Sequence, residues 1–268
     1  MLTGKFLIVS YLSPNLFWFY QAVARAICRH CYVEVEIIEG SCDPLDDPLL
    51  QNDQLDLAFL CGLPLLRHNR QAARPLQLLA APVMQGDRYQ NLPIYFADIV
   101  VHTDSHLSTF ADLKGTRFCY NDAGSNSGYN LLRYQLIQRN LTNGFFGSVQ
   151  PSGSHQLSLQ WIATGLADCA ALDSVVLEEE LRHSSELAKS LRVIDSIPSP
   201  MPPIVASPRL EADTIAQLQA ILLYPDPELQ AAMTQAKIRS YARVAETDYA
   251  PIALAYDAAI AVGYEAIA

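Results

Sequence analysis

Apolar runs of strand length alternate with helical segments from the sixth residue onward, and this narrows the fold more than any other feature. Phe6–Tyr11 reads as a buried strand, and Ser13-Pro14-Asn15 opens a helix through Arg29. Tyr32–Glu39 alternates Val33, Val35 and Ile37 with Glu34 and Glu36, the pattern of a half-exposed strand. Asp43-Pro44 starts a short helix. Leu55–Leu60 is a strand ending in a Cys61-Gly62-Leu63-Pro64 turn, and Pro75–Met84 and Ile94–Val101 are further strands. After His102 the pattern restarts. Strands are expected over Thr116–Tyr120, Phe145–Gln150, Asp168–Leu172 and Leu191–Ile197, with helices over Ser127–Arg139, His155–Thr164 and Ser174–Arg182. The prolines of Pro198–Pro203 suggest a stiff linker, and Ile204–Ala206 a short strand. The tail from Ala212 reads as mostly helical, with a break at Tyr224-Pro225-Asp226-Pro227. Alternation of this kind implies an α/β protein with parallel or mixed sheets covered by helices.

Ligands of such sheets sit beyond the carboxyl ends of strands. Tyr11, Cys61-Gly62, Ser125-Asn126-Ser127 and Ser154-His155 fall at those ends. Two of these turns, Gly124-Ser125-Asn126-Ser127-Gly128 and Ser152-Gly153-Ser154-His155, place small hydroxyl and glycine residues between a strand and a helix. A helix start offers unpaired N–H groups and about half a positive charge, so the two turns make a cradle for a small oxyanion. The same residue types also cap helices without binding anything, and Ser125, Ser127 and Asp173 carry that second reading. His155, at a helix start where positive charge is disfavoured, is expected to be neutral or paired with an anion.

The net charge of −10, from 18 Lys+Arg against 28 Asp+Glu, argues against a nucleic-acid partner. It leaves an anionic ligand open, because charges beyond about 8 Å are screened while local N–H groups are not. No apolar stretch has the length of a membrane span. The N-terminus reads as a strand rather than a signal peptide. The expected location is therefore cytoplasmic if the chain starts natively at Met1, and periplasmic or extracytoplasmic if a leader was removed. Cys28 and Cys31 are spaced C-x-x-C without a second pair, and His68, His102, His106 and His183 show no ligand spacing. No metal and no cofactor is expected.

The ordered set Asp112-Leu113-Lys114-Gly115, Gly124-Ser125-Asn126-Ser127-Gly128-Tyr129, Gly153-Ser154-His155 and Ala171-Leu172-Asp173-Ser174-Val175-Val176 resembles the phosphonate-binding family of ABC-transporter proteins. Tyr95–Val101 is a weaker match. The resemblance implies a type II periplasmic-binding-protein fold with two α/β lobes and a two-strand hinge near Ile94–Val101 and Leu191–Ile204. Residues 1–96 with 200–268 would form one lobe, and 97–199 the other, which carries the main anion-binding turns. The ligand would lie in a cleft between them.

It also implies ligand contacts from Ser125, Asn126, Ser127, His155 and Tyr95. Asp173 would face a ligand's amino group. Tyr11 joins them only by its position at a strand end. Asn126 stands where the family often has threonine, and its amide is expected to donate in that role. The implied function is capture of phosphate, phosphite or a phosphonate, with a transporter permease as partner. The alternatives are a leaderless enzyme on the same fold, of the menaquinone or thiamine-precursor biosynthesis type, or a cytosolic ligand sensor.

Overall fold

The computed structural model describes residues 5–142 and 144–267. The chain divides into two units. One comprises the chain through Ile94 together with Pro200–Tyr249; the other comprises Tyr95–Ser199 and the chain from Ala250 onward.

The first unit is built on β1 (Lys5–Ser10), whose interior is apolar on both faces. It pairs in parallel with β2 (Glu34–Glu39) and β3 (Leu57–Phe59). β4 (Gln77–Met84), β10 (Ile204–Ala206) and β11 (Ile238–Ala242) complete a mixed six-stranded sheet in the order β11-β4-β10-β3-β1-β2. β10 runs antiparallel to both β3 and β4. Helix α1 (Phe17–Cys31) buries Phe19, Tyr20, Val23 and Ile27, one apolar stripe at helical spacing. It stops where Tyr32 turns into the left-handed region and donates back to the Cys28 carbonyl. α2 (Pro48–Gln51) and α3 (Gly62–Gln71) follow. The Cys61–Pro64 stretch is thus the start of a helix, not only a turn: proline in a first turn forfeits no intrahelical bond.

In the second unit β5 (Ile94–His102), β6 (Arg117–Tyr120), β7 (Ser148–Pro151), β8 (Cys169–Asp173) and β9 (Leu191–Pro200) form a sheet ordered β7-β6-β8-β5-β9. β6 is parallel to both β7 and β8, and β5 is antiparallel to β8. The period of two divides the core. Ile99, Phe118, Cys169 and Ala171 face one layer with Leu132 and Leu136 of α4 (Leu131–Gln138). Val100, Cys119, Ala170 and Leu172 face the other, with Leu159 and Ile162 of α5 (His155–Ala163) and Leu177 of α6 (Ser174–His183). The chain therefore leaves β6 toward one face of the sheet and leaves β7 and β8 toward the opposite face. Divergence of this kind opens a crevice at the strands' carboxyl ends.

Three local readings change. β9 runs through Pro198 and Pro200, which the sequence suggested as linker; as an edge strand it needs no ladder bond from them on its open side. The expected strand over Phe145–Gln150 starts at Ser148, while Phe145 and Phe146 are buried with Phe118. α7 (Ser185–Ser190) was not anticipated. Nor was β11, which breaks the tail after α8 (Ala212–Leu223) and α9 (Pro227–Gln235).

The lobe boundaries also differ at the C-terminus. α10 (Ala250–Ala261) and the residues after it belong to the second unit, so the chain passes between units three times rather than twice. The cause is apolar: Tyr264 and Ile267 enter the core of Phe118, Leu132 and Leu136. The Ile267 N–H also donates to the Tyr129 hydroxyl at 2.8 Å. Tyr129→Phe would leave that buried N–H without an acceptor and should cost about 1–3 kcal/mol in denaturant unfolding. An unchanged midpoint would show that this segment does not support the unit.

Candidate functional site

Because β6, β7 and β8 are parallel neighbours, the turns that follow them share one edge of the second sheet. Two hydrogen bonds tie the first two turns together: Ser152 N–H to the Tyr120 carbonyl (2.7 Å) and Gly153 N–H to the Asn121 carbonyl (3.1 Å). β5 brings Tyr95 to the same edge, since Ala97 pairs with Asp173 at the end of β8. Ser125, Asn126, Ser127, Tyr95, His155 and Asp173 are thus gathered by one sheet edge. Tyr11 lies in the other unit, where its hydroxyl donates to Asp47 Oδ2 at 2.8 Å.

The turn after β6 is a π-helical turn, Asn126–Asn130, that runs straight into α4. Such turns are rare and concentrate at functional sites. Ser125 Oγ caps it by accepting the Gly128 N–H at 3.0 Å. Its first backbone acceptors serve Asn130 and Leu131, so the N–H groups of Asn126 and Ser127 precede any intrahelical partner. The Ser127 side chain is buried, and among the described residues it makes no hydrogen bond. Gly128 packs closely here: a Cβ would stand 1.8 Å from Asn121 Oδ1, so the Asn121 side chain would have to move.

Asn126 is fully buried, and its side chain plays a different part from the one expected. Both of its N–H donors are in use, toward Tyr95 Oη (3.0 Å) and Ser199 Oγ (2.9 Å). Its Oδ1 accepts from Asn130 Nδ2 at 3.1 Å. The side-chain amide is therefore structural, and only its backbone N–H is available to a ligand. Asn130 in turn accepts from Arg133 Nη2 at 2.9 Å. Asn130, Arg133 and Ser199 were not singled out from the sequence. Their signal was there: Asn126, Asn130 and Arg133 sit at i, i+4 and i+7, one stripe of a helix.

His155 opens α5 after Ser154, whose Oγ caps the helix through the Leu157 N–H at 3.0 Å. The residue is 8 % exposed, and its buried Nδ1 has no partner among the described residues. Burial lowers its pKa to about 4, so the imidazole is neutral near neutral pH. Asp173 caps α6, with Oδ1 accepting from Val175 N–H (2.8 Å) and Val176 N–H (3.3 Å). Burial pushes its pKa up to about 7; those two bonds oppose the rise, and Asp98 and Glu178 add to it. Among the described residues no group of three or more His, Cys, Asp or Glu side chains could hold a metal ion.

A model of the periplasmic phosphonate substrate-binding protein of ABC transporters matches residues 6–249. The chain belongs to this family. Solved structures of phosphonate-binding proteins share this chain's fold. PhnD1 from Prochlorococcus marinus, determined with methylphosphonate, superposes with a TM-score of 0.82 at 17% identity, over 94% of this chain and 97% of that one. The binding component of a phosphonate transporter from Pseudomonas aeruginosa gives 0.81 at 16% identity, over 96% and 88%. The aliphatic sulphonate-binding protein SsuA from Escherichia coli is more distant, at 0.62 and 14% identity over 97% and 93%. Among the described residues no helix is long and apolar enough to cross a membrane.

The two shifted groups of this phosphonate-binding family member pull stability in opposite directions. His155, with a folded pKa below its usual value, costs stability as pH falls from about 6.5 to 4. Asp173, with a raised folded pKa, costs stability as pH rises from about 4 to 7. Over that window they offset one another. Relative to wild type, His155→Asn should make stability fall as pH rises from 4 to 7. Asp173→Asn, which can still cap, should make it rise from 4 to 6.5. Urea unfolding across this range checks both, and identical profiles for the two variants would refute the assignment.

Proposed function

We propose that this protein captures a phosphorus oxyanion (phosphate, phosphite or a phosphonate) at the turns following β6 and β7, and delivers it to a transporter permease. The observation that carries the reading is the pair of helix starts on adjoining parallel strands, with the Ser127 hydroxyl and the first N–H groups of the π-helical turn left without partners among the described residues. Neutral donors around an anion make charge-assisted bonds without adding a buried cation to desolvate. His155 fits the same scheme as a neutral ring that can donate one N–H. The half-buried Asp173 carboxyl would meet an amino substituent if the ligand carries one.

We read the site as binding rather than catalytic. Asp173 Oδ1 is committed to a helix cap, and burial holds His155 well below the pKa suited to a base near neutral pH. The family's compartment, the periplasm, is the one we propose for this chain. Titration calorimetry with phosphate, phosphite, methylphosphonate and aminoethylphosphonate should give saturable binding for at least one. Ser127→Ala should weaken it by about 10- to 100-fold, the value of a hydrogen bond to a charged group. Phosphorus NMR should recover the bound ligand unchanged. Silence from all four compounds would refute the function, and undiminished affinity in Ser127→Ala would move the site elsewhere.

A further inference from the structure

The polar chain beneath the anion turn has a direction, and Arg133 fixes it. A guanidinium donates and never accepts. Its Nη2 therefore requires the oxygen of the Asn130 amide, at 2.9 Å. That leaves Asn130 Nδ2 to donate to Asn126 Oδ1, and Asn126 Nδ2 to donate to Tyr95 Oη and Ser199 Oγ. Neither asparagine can be flipped without setting two donors face to face. Arg133 is itself clamped: Nη1 donates to the Glu265 carbonyl at 2.6 Å, and the Tyr129 and Tyr256 rings lie 5.8 and 5.9 Å from its guanidinium carbon.

One consequence concerns Ser199. Its hydroxyl oxygen is an acceptor toward Asn126, so its hydrogen must point elsewhere. Ser199 is 4 % exposed, and among the described residues Asn126 is its hydrogen-bond partner and nothing accepts that hydrogen. A buried O–H without an acceptor costs about 1–3 kcal/mol unless something arrives to take it. Ser199 Oγ lies 2.9 Å from the side chain of the first residue of the anion turn. We propose that Ser199 is a further anion-binding hydroxyl of this site, and that Arg133 is the positioning residue that, through Asn130 and Asn126, turns its hydrogen toward the ligand. The inference rests on the function proposed above and extends it to residues outside the family-like motifs. A chain of aligned donors also polarises each member, which strengthens the last bond in the series.

Asn130→Asp reverses the chain and keeps Arg133 paired. A carboxylate accepts from Arg133 but cannot donate to Asn126. Asn126 must then present its own N–H inward and its oxygen to Ser199 and Tyr95, drawing the Ser199 hydrogen away from the ligand. The test is a double-mutant cycle read by calorimetry with whichever of phosphate, phosphite and methylphosphonate the wild type binds. Ser199→Ala should weaken binding about 10-fold; the melting midpoint, which the Asn126 N–H left without its acceptor can lower, is measured alongside so that loss of affinity is read on folded protein. Asn130→Asp should weaken it at least as much, and adding Ser199→Ala to Asn130→Asp should cost nothing further. Wild-type affinity in Ser199→Ala overturns the proposal, and so does a Ser199→Ala loss that is the same in both backgrounds. If Asn130→Asp does not fold, Ser199→Ala alone decides. A wild type that binds none of the three anions overturns the proposed function itself, a result distinct from either of these.

Discussion

Parallel pairing of β6 with both β7 and β8, with α4 on one face of the sheet and α5 and α6 on the other, is the constraint from which the site follows. Parallel strands end at the same edge, so the turns after them become neighbours although they are distant in sequence. Because the chain departs to opposite faces, helix starts flank a crevice instead of crowding into it. The apolar alternation on β6 and β8 fixes this register. A slip of one residue would exchange Phe118 with Cys119, and each core would receive a side chain of the wrong size.

An acidic protein can hold an anion on these terms because the donors are local and uncharged. The net charge of −10 is spread over 268 residues, and most of it is screened at the distance of one turn. Arg133, tied to the turn through Asn130 and Asn126, is buried beneath it, and its influence travels through oriented amides. Its burial is a cost, and the oxygens it donates to, the Glu265 carbonyl and the Asn130 amide, are neutral rather than carboxylates. Two aromatic rings and two hydrogen bonds offset that cost. The second unit therefore needs its C-terminal segment, which supplies the Glu265 carbonyl, the Tyr256 ring and the bond to Tyr129.

The strand–helix order and the two small-residue turns were legible because each rests on local pattern: buried apolar runs, caps and glycine. The roles of individual side chains were less so. Ser125 and Ser127 look alike in sequence, yet one hydroxyl is consumed by a cap and the other is not, a distinction set by the π-helical turn. Asn126 was read as an anion donor because its neighbours are; its amide is instead spent on Tyr95, Ser199 and Asn130, partners brought from β5, β9 and α4. Ser199 was hidden in a proline-rich stretch that resembles linker until the edge position of β9 is known. The C-terminal helix was assigned to the wrong unit because an apolar helix does not reveal which core it enters.

The central claim is that backbone and hydroxyl donors at the ends of β6 and β7 grip the anion. Backbone amide NMR during a titration with methylphosphonate reads those donors directly. Hydrogen bonding to a dianion moves an amide proton far downfield, so the largest saturable shifts should fall on Asn126, Ser127 and the residues at the start of α5. Saturable shifts clustered away from that sheet edge, with these amides unmoved, would contradict the account.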